Sequence, residues 1–192
     1  LGYKATGTPE SKPREFTTRL KALFGDVIHD KVLSKLQKSK RFVLIPESAG
    51  KVVFDSLTQE VSFRLDGLVS HEQELGGLEI KTVNSYGLQK MVREGGPKIG
   101  HLLQVSSYFG TNSAIKWFAL VYLGRDTAYR AEYHITKREQ VLVVEPVLPK
   151  APAYVVSNAS FESIKSRWLE LENAVKENKI PRREYKVVLN KD

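Results

Sequence analysis

Cysteine is missing from all 192 residues of the sequence. This absence excludes disulfides, thiolate zinc sites, iron–sulfur clusters and a cysteine nucleophile within these residues, and it fits a reducing compartment. Long apolar runs are missing too, because none approaches the about 20 residues that a membrane-spanning helix needs. The first residues carry no signal-peptide pattern, and the chain has no internal repeat or low-complexity tract. The sequence therefore predicts neither a membrane protein nor a disulfide-stabilised one.

Acidic residues are outnumbered, since 22 Asp and Glu residues stand against 30 Lys and Arg residues, a formal net charge of +8. The basic residues concentrate in three ranges, 11–41, 81–98 and 176–192. Basic clusters on a folded domain indicate a polyanionic partner, most often nucleic acid. A solvated basic helix face produces the same pattern, so charge alone leaves both interpretations open. The composition is otherwise that of a globular domain, with 41% hydrophobic residues.

The spacing of apolar residues predicts one α/β domain with a central mixed sheet flanked by helices. We expect a loose arm at 1–13, a single domain at 14–178 and a basic tail at 179–192, where truncation of a longer chain stays open. Helical periodicity predicts helices at about 14–38, 97–110 and after 160. Strands are predicted at about 41–46, 60–70, 77–83, 115–123 and 128–135. Between them, 71–76 is a hairpin connection, 84–98 a loop or short helix, and 137–158, with three prolines, irregular surface chain.

Two acidic residues lie on adjacent predicted strands. If these strands pair, Asp66 and Glu79 converge at one end of the sheet, where they repel each other unless a cation joins them. Carboxylate and carbonyl oxygens suit Mg²⁺ or Mn²⁺. Lys81 follows Glu79 by two residues, so both side chains point to the same face of a strand. A lysine there can orient a water molecule or stabilise charge that develops on a phosphate.

The Glu-x-Lys pattern is weak by itself, because it occurs four times, at 10–12, 79–81, 177–179 and 184–186. Only the second copy lies in an apolar strand that follows an acid-bearing strand. The competing interpretation is a charge pair on a surface strand.

Two helical patterns add to this pair of strands. His29 shares a helix face with Gly25 and Leu33, so it points inward, either as a third metal ligand or as a hydrogen-bonded core histidine. Gln104 and Tyr108 are one turn apart on one helix face. Their neutral donors suit phosphate or base contacts, although a half-buried tyrosine beside an incidental glutamine would show the same spacing.

In order, these four elements resemble the PD-(D/E)xK nuclease superfamily, and most closely its RecB-like exonuclease branch. That branch carries a G-x-x-x-H helix, an Asp on a strand, a (D/E)-x-K strand and a Q-x-x-x-Y helix. The matching residues here are Gly25 with His29, Asp66, Glu79-Ile80-Lys81, and Gln104 with Tyr108. Many relatives carry a glycine three residues before the Asp, where this chain has Phe63, and many bind an iron–sulfur cluster through cysteines that this chain lacks.

The resemblance implies a role for each matching residue. One or two Mg²⁺ or Mn²⁺ ions would be held by His29, Asp66, Glu79 and the backbone carbonyl of Ile80, with no iron–sulfur cluster within these residues. Lys81 would be the catalytic lysine, acting with both acids. The DNA strand would be positioned by Gln104 and Tyr108. Further DNA contacts are predicted from the intervening basic segment and from the helix face that follows it, at Tyr86, Lys90, Arg93, Lys98 and His101.

The implied activity is metal-dependent DNA exonuclease action, from ends or on single strands, in DNA repair, recombination or phage DNA processing. A helicase or recombination protein would be a further partner. The implied location is intracellular, in the cytoplasm or nucleoid, or in a host cytoplasm if the protein is viral. Three alternatives stay open: a structure-specific endonuclease on the same core, a catalytically inactive DNA-binding scaffold, and a basic α/β protein in which the motif is accidental.

Overall fold

The computed structural model describes residues 16–38, 43–46, 49–52 and 61–179. The predicted N-terminal arm, and the C-terminal tail beyond residue 179, lie outside the described residues. The elements in chain order are α1 (Phe16–Gln37), β1 (Val43–Pro46), β2 (Ala49–Val52), β3 (Val61–Arg64), β4 (Gly67–His71), β5 (Glu74–Val83), α2 (Ser85–Arg93), α3 (Ile99–Thr111), β6 (Ile115–Gly124), β7 (Arg130–Arg138), β8 (Val141–Leu148), β9 (Tyr154–Val156) and α4 (Phe161–Lys176).

Seven of these strands form the central sheet, in the order β1-β4-β5-β6-β7-β8-β9. The pair β5–β6 is parallel and the other pairs are antiparallel, so the sheet is mixed. A parallel pair needs a long crossover connection, and α2 and α3 supply it. The predicted fold class, an α/β domain with a mixed sheet flanked by helices, is therefore confirmed. Strands β2 and β3 form a separate antiparallel pair.

Helices cover both faces of the sheet. On one face α1 contributes Leu33 to a buried cluster with Leu78 and Ile80 of β5. On the other face α2 and α3 pack on β6, β7 and β8 in the larger core cluster. The alternation along β5 thus places Ile80 beneath α1 and turns Glu79 and Lys81 toward α3.

The predicted strand at 60–70 is wrong in one respect, since it is divided into β3 and β4. Asp66 lies in a bend between them. The register of β4 with β5 ends at Gly67 and Leu78, and beyond it the Asp66 carboxylate accepts the N–H of Ile80 at 2.6 Å. The side chain of Asp66 therefore replaces a backbone acceptor where the pairing stops, and this fixes its position against β5.

The connection between β4 and β5 is shorter than the predicted range 71–76. His71 pairs with Glu74, so the turn consists of Glu72 and Gln73 alone. Both have positive φ, 50° and 67°, as a two-residue hairpin turn of type I′ requires. Glycine or asparagine usually marks such a turn, and their absence made the connection look longer.

The prediction of irregular chain at 137–158 is wrong, because β7 extends to Arg138 and both β8 and β9 follow. Prolines argue against central strands, since they cannot donate to the ladder. Here Pro146 lies opposite Tyr133, next to a register shift, where the chain tolerates a missing donor. Leu142 and Val144 alternate inward into the core. In the range 84–98, the short-helix alternative is the one that forms, as α2.

Candidate active site

The predicted metal and lysine residues line one cavity of about 550 Å³. It opens where the end of β5 meets α1, α3 and the turn after β6. Its walls are formed by Gly25, Asp26, His29, Arg64, Asp66, Glu79, Ile80, Lys81, Thr82, Gln104 and Arg125. Five chain segments that are distant in sequence thus line this cavity, and four of them carry the motif residues.

Glu79, Lys81 and Gln104 form a closed triangle of hydrogen bonds at the back of this cavity. The ammonium of Lys81 donates to Glu79 Oε1 at 2.5 Å and to Gln104 Oε1 at 2.8 Å. The amide nitrogen of Gln104 donates to the same Glu79 oxygen at 2.8 Å. A rotated amide would place its NH₂ against the ammonium and its oxygen against the carboxylate, so the two charges determine the orientation of Gln104.

Tyr108 extends this network toward β3. Its hydroxyl accepts from Gln104 Nε2 at 2.6 Å and donates to the carbonyl of Arg64 at 2.6 Å. Its ring stacks on Phe118, with centroids 5.6 Å apart. Burial, and then the negative charge of Glu79, raise the pKa of Tyr108, so the phenol stays protonated and can continue to donate.

His29 reaches Asp66 because α1 approaches β5 closely at Gly25. A Cβ at position 25 would lie 3.2 Å from Thr82 Oγ1, which is tighter than most such contacts. The imidazole Nε2 of His29 lies 3.2 Å from Asp66 Oδ1, and its Nδ1 lies 3.5 Å from the exposed Asp30. The inward orientation that the helical pattern predicts for His29 is the one observed.

Glu79 is the most deeply buried charged side chain of the cavity, at 3% exposure. Burial raises the pKa of its carboxyl group, and the nearby negative charge of Asp66 raises it further, while Lys81 acts in the opposite direction. A cation placed between the two acids would reverse this penalty, because it favours the ionised form of both.

Two buried atoms in this cavity have no hydrogen-bond partner: His29 Nε2 and Glu79 Oε2. The contact of His29 Nε2 with Asp66 does not have hydrogen-bond geometry, so the short distance leaves the nitrogen unsatisfied. Unpaired buried polar atoms are costly, and an imidazole nitrogen and a carboxylate oxygen are ligands of divalent cations. The donor set therefore fits Mg²⁺ or Mn²⁺. Within the described part of the chain, no group of three or more His, Asp or Glu side chains is placed to hold a metal ion.

The predicted DNA-contacting residues separate into two groups. Gln104 lines the cavity, and Tyr108 is hydrogen-bonded to Gln104. The wall of the cavity does not include Tyr86, Lys90, Arg93 or Lys98. Helix α2 buries Leu88 and Met91, which turns Tyr86, 71% exposed, and the two basic residues of its last turn outward. Lys90 lies 3.6 Å from Glu94.

His101 faces the core rather than the cavity. Its Nδ1 lies 2.7 Å from the hydroxyl of Tyr122, and the two rings are 5.5 Å apart. Burial, and then the charges of Lys81 and Lys98, lower the pKa of His101 to about 4. The ring is therefore neutral at pH 7, and any contact with DNA would be a hydrogen bond rather than a charge interaction.

Sequence reasoning missed four residues of the cavity wall: Asp26, Arg64, Thr82 and Arg125. Asp26 and Thr82 adjoin residues of the recognised motifs, so their positions were within reach of the pattern. Arg125 lies in the turn between the predicted strands at 115–123 and 128–135, which none of the recognised motifs includes. The pairing of Val83 with Gly124 brings this turn beside the end of β5, and no local pattern encodes that register.

No protein-family model and no curated protein matches this chain. A solved structure, the crystal structure of a protein called SSO0001, is similar in fold, with a TM-score of 0.52 and 19% sequence identity. The match covers 85% of this chain and 63% of SSO0001, so the chain spans less than two thirds of that protein. At this identity the likeness shows a shared fold alone. Among the described residues, no helix combines the length and the apolar character needed to cross a membrane.

Proposed function

We propose that this chain is a metal-dependent deoxyribonuclease of the RecB-like branch of the PD-(D/E)xK superfamily, and that it acts as an exonuclease on DNA ends or single strands. The observation that carries the proposal is the cavity, because residues from all four motifs line it. His29, Asp66, Glu79 and Lys81 line it together, with Gln104 bonded to both Glu79 and Lys81. An accidental motif gives no reason for such convergence.

The residues that would hold Mg²⁺ or Mn²⁺ are His29, Asp66, Glu79 and the carbonyl of Ile80. The unsatisfied atoms of His29 and Glu79 support this assignment. When bound, the metal supplies activation of water and neutralisation of the charge that develops on phosphate.

Lys81 is the best placed of the chain's own groups to act on the scissile phosphate. An ammonium has three donors, and two of them are used by Glu79 and Gln104, so one is left for a phosphate oxygen or for the attacking water. Because the two bonds fix the ammonium beforehand, it needs no reorganisation as negative charge builds on the phosphate. Attack of water on phosphorus then breaks the bond to the 3′ oxygen and leaves a 5′-phosphate.

Cleavage of end-labelled linear DNA tests the proposal. Single-stranded, double-stranded and circular substrates would be incubated with Mn²⁺, Mg²⁺ or EDTA, with Lys81→Ala as the matched inactive variant. We expect loss of linear DNA alone, dependent on both metal and Lys81. Cleavage of circular DNA would instead identify a structure-specific endonuclease on the same core. Binding without cleavage would identify a DNA-binding scaffold. If the chain neither binds nor cleaves DNA, the proposal is overturned.

A further inference from the structure

The turn between β6 and β7 is fixed to the site from two sides. The backbone N–H of Arg125 donates to the carbonyl of Val83, the last residue of β5, at 2.8 Å. On the other side, Asp126 Oδ1 accepts from both the backbone N–H and the hydroxyl of Ser85, at 2.8 and 2.6 Å. Ser85 is buried at the start of α2. The turn is therefore held against both the end of β5 and the start of α2.

Two further details keep this turn in one conformation. The hydroxyl of Thr127 lies 2.5 Å from that of Ser85, so the serine joins both Asp126 and Thr127. Gly124 has no room for a side chain, because a Cβ there would lie 2.7 Å from Ser85 Oγ. The hydrogen bonds from Ser85, first from its hydroxyl and then from its backbone N–H, lower the pKa of Asp126.

Arg125 is the residue that this turn presents to the cavity. It lines the same walls as Lys81 and Gln104. The ammonium of Lys81 is already engaged by Glu79 and Gln104, whereas within the described residues no hydrogen bond or salt bridge engages the guanidinium of Arg125. A guanidinium offers five donors in a planar fork that matches two oxygens of one phosphate.

We propose that Arg125 binds a backbone phosphate of the DNA strand in the catalytic cavity, and that Asp126 is a positioning residue that holds the turn for it. The proposal rests on the proposed nuclease function and names the group that holds the substrate strand there. A rigid turn matters because a fixed guanidinium loses less conformational entropy on binding than one on a mobile loop.

The test compares Arg125→Ala and Arg125→Gln with Arg138→Ala, which removes an exposed arginine at the far end of β7. Binding of a single-stranded oligonucleotide would be measured across a salt series in the Lys81→Ala background, and KM and kcat in the otherwise unchanged chain. Loss of one phosphate contact should weaken binding roughly tenfold and reduce the salt slope by about 0.7 to 1. KM should rise more than kcat falls, and Arg138→Ala should leave the affinity, the salt slope, KM and kcat unchanged.

Asp126 is tested by rescue and by a double-mutant cycle. Asp126→Ala should reproduce the weaker binding and the smaller salt slope, while Asp126→Asn, which keeps an acceptor for Ser85, should restore most of both. If Asp126 acts through Arg125, the double variant Asp126→Ala/Arg125→Ala should bind no more weakly than Arg125→Ala alone. Additive losses would contradict the positioning role.

The outcomes separate this proposal from the function on which it rests. In one outcome the chain cleaves DNA while both Arg125 variants have the KM and salt slope of the unchanged chain, and melting temperatures that show them to be folded. In that case the assignment of Arg125 is wrong and the nuclease function stands. If the chain binds DNA without cleaving it, and Arg125→Gln shows the reduced salt slope, Arg125 remains a phosphate contact and the nuclease function is overturned. If the unchanged chain neither binds nor cleaves DNA, both proposals fail.

Discussion

The amide nitrogen of Gln104 lies 2.8 Å from the carboxylate of Glu79, although 25 positions separate them in the chain. The same amide accepts from Lys81, so one neutral side chain satisfies both members of a charged pair. This relationship links the strand that carries the acid and the lysine to the helix that carries the Q-x-x-x-Y pattern.

Replacement of Gln104 by leucine should therefore disturb folding and cleavage together. The Glu79 and Lys81 groups would each lose a buried partner, which costs about 1 to 3 kcal/mol of unfolding free energy. Urea denaturation would measure this, with the exposed Gln140→Leu as the control expected within about 0.5 kcal/mol of the unchanged chain. Metal affinity should stay the same, since Gln104 is not among the proposed ligands. An unaltered stability would contradict the network described here.

Lys81→Met keeps the length of the side chain and removes its charge. We expect cleavage to fall by about two to three orders of magnitude, as loss of a preorganised donor at a developing oxyanion does, while DNA binding is retained. Lys116→Met, an exposed lysine at the start of β6, is the matched control. Single-turnover cleavage with Mn²⁺ measures the effect, and a rate near that of the control would remove Lys81 from the mechanism.

Tyr108→Phe removes one hydroxyl and keeps the ring on Phe118. The carbonyl of Arg64 then loses its donor, so the unfolding free energy should fall by about 1 to 2 kcal/mol. Tyr86→Phe changes the same atom on a 71% exposed side chain and should have no effect. Equal stability of the two variants would show that the Tyr108 hydroxyl does not hold β3 and the bend in place.

Asp66→Asn should lower the affinity for Mn²⁺, because an amide oxygen carries no charge but can still accept the N–H of Ile80. In the unchanged chain, Mn²⁺ at 100 times its Kd should stabilise folding by about 2.7 kcal/mol. We expect most of that stabilisation to disappear in Asp66→Asn and to persist in Glu94→Gln, a surface control. Thermal denaturation with and without Mn²⁺ distinguishes these results, and full Mn²⁺ stabilisation of Asp66→Asn would exclude Asp66 as a ligand.

The raised pKa of Glu79 predicts a pH dependence of stability in EDTA. A carboxyl whose pKa is higher in the folded state than its value of 4.5 in the unfolded chain holds its proton more tightly when folded. Its contribution is favourable below the unfolded value and is lost as the pH rises through the folded value. The stability of Glu79→Gln relative to the unchanged chain should therefore increase between pH 4 and pH 8. A constant difference across that range would contradict the raised pKa.

The local parts of the site were predictable from the sequence because they depend on short-range geometry. Residues two apart on a strand share a face, and residues four apart on a helix share a face, so the pairing of Glu79 with Lys81 and of Gln104 with Tyr108 follows from spacing alone. The inward orientation of His29 follows in the same way from the helical stripe of α1.

The missed parts depend on register between distant segments. Arg125 reaches the cavity only because β6 runs parallel to β5 and pairs Gly124 with Val83. The outward orientation of Lys90 and Arg93 depends on which face of α2 is buried, and only the packing of Leu88 and Met91 decides it. In β8, Leu142 and Val144 alternate inward, but the three prolines of the range 137–158 favoured the prediction of irregular chain.

The parallel crossover also determines when the two halves of the site can meet during folding. The hairpin of β4 and β5 closes through a two-residue turn, which brings Asp66 to Ile80 over a sequence separation of 14 residues. We infer that Gln104 joins later, because α3 packs on β6 and the non-local pairing of β6 with β5 is slow. We therefore expect pulsed hydrogen exchange to show the amides of the hairpin protected before those of β6. The two acids would then meet early in folding, while Lys81 and Glu79 would wait for their amide partner until the sheet is complete.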